Sequence, residues 1–184
     1  MSDRQPSLTT DRLVLEPFGE DHVPALARAN MDERVMRYIR EPSPDYASAE
    51  ASIRKILLQD DGELGIWGVR LRENNEVIGL GILRPMPDKS DVEVGYRLTV
   101  PHWGKGYATE IARCLINYGF GTVKLATITA TFDTENSASR HVLEKCGLRD
   151  DGMTKAYHAH GTPLVRINRA DWKNQLPGPG TSGD

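Results

Sequence analysis

The chain is 184 residues long, 39% apolar and 27% charged, with a formal net charge of -3. That composition suits one folded domain with a sizeable core and excludes a disordered chain, and the negative balance argues against binding nucleic acid by neutralising its phosphates. No run reaches the ~20 apolar residues a membrane span needs, and the polar start Met1-Ser2-Asp3-Arg4-Gln5 is unlike a secretory signal, so a cytoplasmic location without membrane contact is expected.

Leu13-Val14-Leu15 forms a first short strand, entered through Thr9-Thr10-Asp11-Arg12. Asp21 is expected to cap a helix carrying Val23, Leu26 and Ala27, and residues 48–58 form a second helix through Ile53, Ile56 and Leu57. Between them the prolines of Glu41-Pro42-Ser43-Pro44 force a loop. It reads either as a plain connector or as a wall of a substrate pocket. Residues 65–72 and 76–83 pair as a hairpin closed by Glu73-Asn74-Asn75, because asparagine tolerates left-handed backbone.

In 92–100, Val92, Val94, Leu98 and Val100 alternate with Glu93, Arg97 and Thr99, the pattern of a strand with one buried face. It runs into Trp103-Gly104-Lys105-Gly106-Tyr107-Ala108-Thr109-Glu110. From there Tyr107, Ala108, Ile111, Ala112, Leu115 and Ile116 recur at helical spacing. A glycine turn between strand and helix aims unpaired amides and the positive end of the helix dipole at one spot, which suits a phosphate. Lys105 adds a full charge, and Arg97 and Arg113 are expected to extend a basic patch there. Tyr107 and Ala108 follow Gly106, leaving no hydroxyl to hold magnesium, which argues against a nucleotide triphosphatase.

Residues 126–132 alternate Ala126, Ile128, Ala130 and Phe132 with threonines as another strand. Asn136 opens a helix through Ala138, Val142, Leu143 and Cys146 that Gly147 ends, with Leu148 available for the accompanying apolar contact. Two strands follow, the last over 162–169. The order β, α, α, β, β, β, α, β, α, β, β describes an α+β fold: a mixed sheet covered by helices with one parallel crossover. Cys114 and Cys146 sit in amphipathic patterns as structural thiols. A single domain over 8–172 is expected, with residues 1–7 and 176–184 flexible.

This order resembles the GNAT family of N-acetyltransferases through the glycine-turn motif, Asn136-Ser137-Ala138-Ser139 and Leu143-Glu144-Lys145-Cys146-Gly147-Leu148. Leu8-Thr9-Thr10-Asp11-Arg12-Leu13 and Trp-Gly-Lys-Gly-Tyr look more narrowly like the branch that acetylates ribosomal-protein N-termini. The resemblance implies a mostly antiparallel sheet of about seven strands, splayed into a cofactor cleft after the fourth. It implies acetyl-CoA as acetyl donor, with its pyrophosphate on Gly104, Lys105, Gly106, Tyr107, Ala108 and Thr109 behind Trp103, where the wider family often has Gln or Arg. It further implies a pantetheine arm paired along Leu98 and Val100, a hydrogen bond from Asn136 to that arm, and Ser139 near the sulfur. The tyrosine that many members use as general acid is replaced by Leu143, which makes Ser139 the substitute donor.

Glu93 is the candidate base, on the polar face of the strand leading to the loop. It reads equally as a solvated charge paired with Arg97 or Lys89. Ser139 reads either as a proton donor to sulfur or as a helix cap. His102 reads as a proton relay or as packing, and His158 and His160 have no carboxylate or thiol at metal spacing, so no metal is expected. Trp67, Trp103 and Trp172 read as core or pocket walls. The acceptor is expected to be an amine, on a peptide N-terminus or a small molecule, and an edge strand leaves a homodimer open. A non-catalytic module that senses acyl-CoA is the competing reading.

Overall fold

The computed structural model describes residues 5–58 and 62–175. Residues 176–184 and 1–4, part of the expected flexible ends, lie outside them, while Pro6 is tied down by its carbonyl, which accepts the Trp67 indole N–H at 2.8 Å. Among the described residues eight strands form one sheet: β1 (Leu8–Thr9), β2 (Leu13–Pro17), β3 (Gly65–Leu71), β4 (Val77–Pro85), β5 (Val92–Leu98), β6 (Thr127–Thr131), β7 (Arg149–Thr154) and β8 (Thr162–Asn168), in the spatial order β1-β2-β3-β4-β5-β6-β8-β7. Strand β1, two residues long, is the one that periodicity cannot detect. The hairpin between β3 and β4 turns as expected, with Asn75 at φ 62°.

Six α-helices among the described residues accompany the sheet: α1 (Val23–Met31), α2 (Glu33–Met36), α3 (Tyr46–Arg54), α4 (Tyr107–Tyr118), α5 (Ser137–Lys145) and α6 (Arg169–Gln175). Asp21 does not cap α1. It lies in a short 3-10 turn, Glu20–His22, and its carboxylate pairs with Arg70. The helix expected over 48–58 starts at Tyr46, where the Asp45 carboxylate accepts the Ser48 amide at 2.8 Å, and tightens to 3-10 geometry at Lys55–Leu58. α2 and α6 are short helices that the apolar pattern did not reveal.

The two faces of the sheet are covered by different helices. Val23, Leu26 and Ile53 of α1 and α3 pack on Ile66 and Leu80 on one face. On the other, Ile111, Ala112, Leu115 and Ile116 of α4 and Leu143 of α5 pack on Trp67, Val69, Val94 and Leu98. The sheet and α4 are close: a Cβ on Gly81 would stand 2.9 Å from Ile111 Cγ2 and Leu115 Cδ1.

Every pairing is antiparallel except β5 with β6, which are parallel and register through one pair, Glu93↔Thr129. β6 is meanwhile fully paired with β8 on its other side. The sheet is therefore two blocks joined at one bridge, and β5 and β6 part beyond it. That parting is the splay expected after the fourth strand of the sequence reading, which becomes β5 once β1 is counted.

Candidate active site

Leaving β5, the chain makes a 3-10 turn at Val100–His102, then Gly104 (φ 73°) and Gly106 (φ 82°) take left-handed backbone before α4 begins at Tyr107. Only glycine adopts those angles freely. The first amides of α4 have no carbonyl one turn behind them to bond, so they face outward with the dipole. A Cβ built on Gly104 would meet nothing within 4 Å; the space beside the loop is the cradle a phosphate would fill.

The loop is held by three anchors. The Thr99 hydroxyl bonds His102 Nδ1 at 2.8 Å, and the Trp103 indole donates to Leu98 O at 3.0 Å. The third anchor is Arg12, from the first motif of the sequence. Its guanidinium pairs with Glu110 at 2.6 Å, donates to Lys105 O at 3.0 Å, and lies 4.5 Å above the Tyr107 ring. Glu110 also accepts the Thr10 hydroxyl at 2.6 Å and the Arg12 amide at 3.0 Å. Burial alone would raise its carboxyl, but the bonds from Thr10 and Arg12 outweigh burial and hold it below its ordinary value. Thus Thr10-Asp11-Arg12 fixes the far glycine turn. Neither Arg97 nor Arg113 joins the expected basic patch: Arg97 bonds Asn30 under α1, and Arg113 donates to Lys145 O at the end of α5.

Strand alternation sorts the side chains of β5. Val94, Tyr96 and Leu98 face α4 and α5, whereas Glu93, Gly95 and Arg97 face the α1 side, where a Cβ on Gly95 would touch Ile82 at 3.6 Å. Toward α5, Tyr96 Oη donates to Ser139 O at 3.0 Å and lies 3.1 Å from Ser139 Oγ. Burial is the main reason the Tyr96 phenol is held above its ordinary value. Ser139 is not the cap: the Asn136 side-chain Oδ1 caps α5 by accepting the Ser139 amide at 3.0 Å, so that Nδ2 is the remaining polar group of that side chain. On the opposite face Glu93 is 8% exposed, so it is no solvated surface charge. Its partner is neither Arg97 nor Lys89 but Arg84, directly across the strand pair, at 3.2 Å. Tyr157 also reaches it; burial first, then the nearby Glu93 carboxylate, raises that phenol.

Tyr157 belongs to a cleft of about 1070 Å³ whose walls include Arg37, Tyr38, Arg40, Glu41, Pro42, Thr131 and Phe132. Glu41 and Pro42 thus line a cleft, so their loop is more than a plain connector. His158 and His160 stack at the rim with centroids 5.3 Å apart. His102, 5% exposed, packs under the loop against Tyr107. Trp67 is fully buried against Tyr118, and Trp172 packs on Phe120, while Trp103 is 45% exposed behind the glycine turn.

The family model described as an acetyltransferase (GNAT) domain matches residues 12–149. The chain belongs to the GNAT acetyltransferase family. It is 30% identical over 162 residues to the uncharacterized N-acetyltransferase YoaA of Bacillus subtilis, covering 86% of this chain and 92% of that one. It is 32% identical over 178 residues to the FsC-acetyl coenzyme A-N(2)-transacetylase of Aspergillus fumigatus, covering 91% and 74%. The crystal structure of a GNAT acetyltransferase from Bacillus anthracis superposes with a TM-score of 0.77 at 25% identity, over 89% of this chain and 99% of that one. A RimL ribosomal L7/L12 alpha-N-protein acetyltransferase in complex with coenzyme A shares the fold at 16% identity (TM-score 0.73, 88% and 97% covered). That likeness is one of fold, and the ribosomal-type branch is not singled out.

This GNAT chain is an acetyl-CoA-dependent acetyltransferase acting on an amine. Its residues fit that donor: the open space at Gly104 and the outward amides suit the twin phosphates, and the β5–β6 gap suits an extended arm. The arm's expected partners shift, however. Leu98 O is taken by the Trp103 indole, and Val100 has left the strand, with its carbonyl accepting the Trp103 amide at 3.1 Å. Val92 O and Leu98 O both point away from β4, so alternation turns the carbonyl of Val94 and the backbone groups of Tyr96 into the gap beyond the Glu93↔Thr129 bridge. Leu143, at the place of the family's tyrosine, is 1% exposed core. The residues missed in the sequence reading are Arg12, Glu110, Arg84, Tyr96 and Tyr157. Of these, Arg12 and Glu110 stand in the two quoted motifs without a role assigned to them, and Tyr96 was signalled by sharing the period-two face of Val94 and Leu98.

Proposed function

We propose that this chain transfers the acetyl group of acetyl-CoA directly to a primary amine in a ternary complex, with Glu93 as the base and Ser139 as the proton donor to sulfur. The observation that carries the reading is the β5–β6 gap, with a buried carboxylate on one side and a hydroxyl on the other. When bound, acetyl-CoA supplies the acetyl group as a thioester, and an amine attacks only when neutral. Near pH 7 an α-amine is neutral about one time in ten and a lysine amine roughly once in two thousand. Glu93 accepts the proton that the amine sheds, directly or through one water, while Arg84 and Tyr157 hold its carboxylate in place.

Ser139 Oγ holds its proton toward Tyr96 Oη, and turning one hydroxyl torsion redirects it to a developing thiolate. The amides of Gly104, Lys105, Gly106, Tyr107 and Ala108 would hold the pyrophosphate, with the side chain of Thr109 beside them. Val94, Tyr96 and the Asn136 amide would hold the arm. The acceptor is a small-molecule amine or a peptide N-terminus.

The test is release of CoA thiol with peptides and small amines side by side, in the parent and in Glu93→Gln. The variant should lose turnover mainly at low pH, where little amine is neutral, and keep its affinity for acetyl-CoA. Equal turnover at every pH removes Glu93 from the reaction. Tight acetyl-CoA binding with no thiol release across both panels would replace this reading with that of a sensing module.

A further inference from the structure

The α1 side of β5 holds, besides Glu93, an arginine whose bonding is incomplete. Arg97 stands two alternations along the strand from Glu93 and on the same face. Its Nη1 donates to Asn30 Oδ1 at 2.6 Å. That bond fixes which way the Asn30 amide points, so the group Asn30 has left over is its amide nitrogen. Asn30 is 0% exposed, and among the described residues its Nδ2 and Arg97 Nε are both buried with no partner. Both orphans are donors, so neither can satisfy the other; what they lack is an acceptor.

Charge points the same way. Among the described residues neither Arg97 nor Arg40 has a carboxylate at ion-pairing distance, and the charge of Arg84 is already met by Glu93. Burial, followed by repulsion from Arg40 and Arg84, lowers the Arg97 guanidinium to about 10. Cations crowded in this way and short of acceptors are costly unless an anion joins them. Arg40 also lines the cleft that Tyr157 shares. Glu33, Glu41 and Asp133 line the same cleft; Arg97 and Asn30 are not among its walls, and Arg40 is what links them to it.

We propose that Arg97 and Asn30, with Arg40 beside them, form an anion subsite of the acceptor pocket, so that the acceptor is a small molecule carrying a carboxylate as well as the amine. This rests on the reading that Glu93 faces the acceptor. A planar carboxylate offers two acceptor oxygens to the guanidinium fork and the amide nitrogen together. Four residues of strand separate the Cα atoms of Glu93 and Arg97 by roughly 13 Å. After both side chains lean inward, the amine and carboxylate stand several bonds apart, as in an ω-amino acid. A polyamine would set a cation against Arg97.

The experiment measures CoA-thiol release with a series of straight-chain ω-amino acids of increasing length, each against its carboxamide, for the parent protein, Arg97→Gln and Asn30→Asp. Asn30→Asp keeps the side-chain shape and neutralises Arg97 from within, so it serves where Arg97→Gln does not fold. For the best chain length the parent should prefer the carboxylate by about tenfold or more in kcat/KM, the scale of one charge-assisted hydrogen bond. Both variants should bring that ratio to near unity while binding acetyl-CoA as the parent does. Equal rates for acid and amide, or a preference that survives in both variants, overturns the subsite. If no amine of either series is acetylated, the reading of the Glu93 side as the acceptor side fails. Calorimetric titration with the same carboxylates then decides the subsite: uptake that is lost in Asn30→Asp upholds it, and absence of uptake overturns it.

Discussion

Arg12 lies in sequence far from the glycine turn, yet its removal should be felt there as a loss of acetyl-CoA affinity. Arg12→Ala deletes the forked pair to Glu110, the bond to Lys105 O and the contact over Tyr107. The Arg12 side chain is 47% exposed, so solvent screens the ion pair and its share is at most about 1 kcal/mol. A hydrogen bond to the carbonyl and a screened cation–π contact add about 1 kcal/mol more. If all of this is spent on keeping the loop in its binding shape, the ceiling is about 2 kcal/mol, or roughly 30-fold in the dissociation constant of acetyl-CoA. Part of it must also support the fold, since the same bonds join the approach to β2 to α4, so the expected loss is about threefold to 30-fold. The kcat at saturating donor should stay within about twofold, because Glu93 and Ser139 are held by other contacts. Calorimetry with acetyl-CoA and steady-state kinetics at varied donor separate the two effects. An unchanged dissociation constant with a lowered melting temperature would make the clamp purely structural and refute the argument. Linkage gives a second check. The carboxyl of Glu110 is lowered on folding, so its stabilisation is present above the unfolded value near 4.5 and is lost as pH falls through the folded one. The stability gap between the parent and Glu110→Gln should therefore close in acid and be full at neutral pH.

Gly104→Ala forces an L side chain to φ 73° and puts a methyl group into the phosphate cradle. Strain of about 1–2 kcal/mol should lower the melting temperature by a few degrees, while acetyl-CoA affinity falls further, by about tenfold; a fall in melting temperature with unchanged affinity would exclude the cradle. Tyr96→Phe removes the oxygen that orients Ser139 and should slow single turnover about fivefold, matching a bond of ~1 kcal/mol. Combined with Ser139→Ala it should add nothing, and additive losses in that double-mutant cycle would show that the two side chains act separately. Trp67→Ala empties a fully buried site packed edge-on to Tyr118 and should cost about 3–5 kcal/mol in chemical denaturation.

Of the fold, the sequence revealed what is periodic and long. The β5 alternation, the α4 stripe and the Asn136 and Gly147 boundaries of α5 are each set by contacts within a few residues, and each stands where local chemistry puts it: Gly147 has φ 87° and Leu148 N returns to Leu143 O at 3.1 Å. β1 and α2 carry too few residues for a period, and Asp21 looked like a cap because its use, a pair with Arg70 on β3, is made across the fold. The site divides in the same way. The glycine turn is a local motif and was legible, whereas the clamp that shapes it spans residues 12 and 110. Glu93 was singled out from its strand face, but its burial was not foreseen, because that depends on Arg84 across the hairpin and on Tyr157 near the far end of the chain. Arg97 was misplaced for a related reason. Spacing put it near the glycine turn, yet alternation turns it to the opposite face, so that one strand sends its even-numbered side chains toward α4 and α5 and its odd-numbered ones toward α1. In the proposed reaction, a strand that parts from its parallel neighbour after one bridge would serve both substrates at once, with Ser139 on its α5 side and Glu93 on its α1 side.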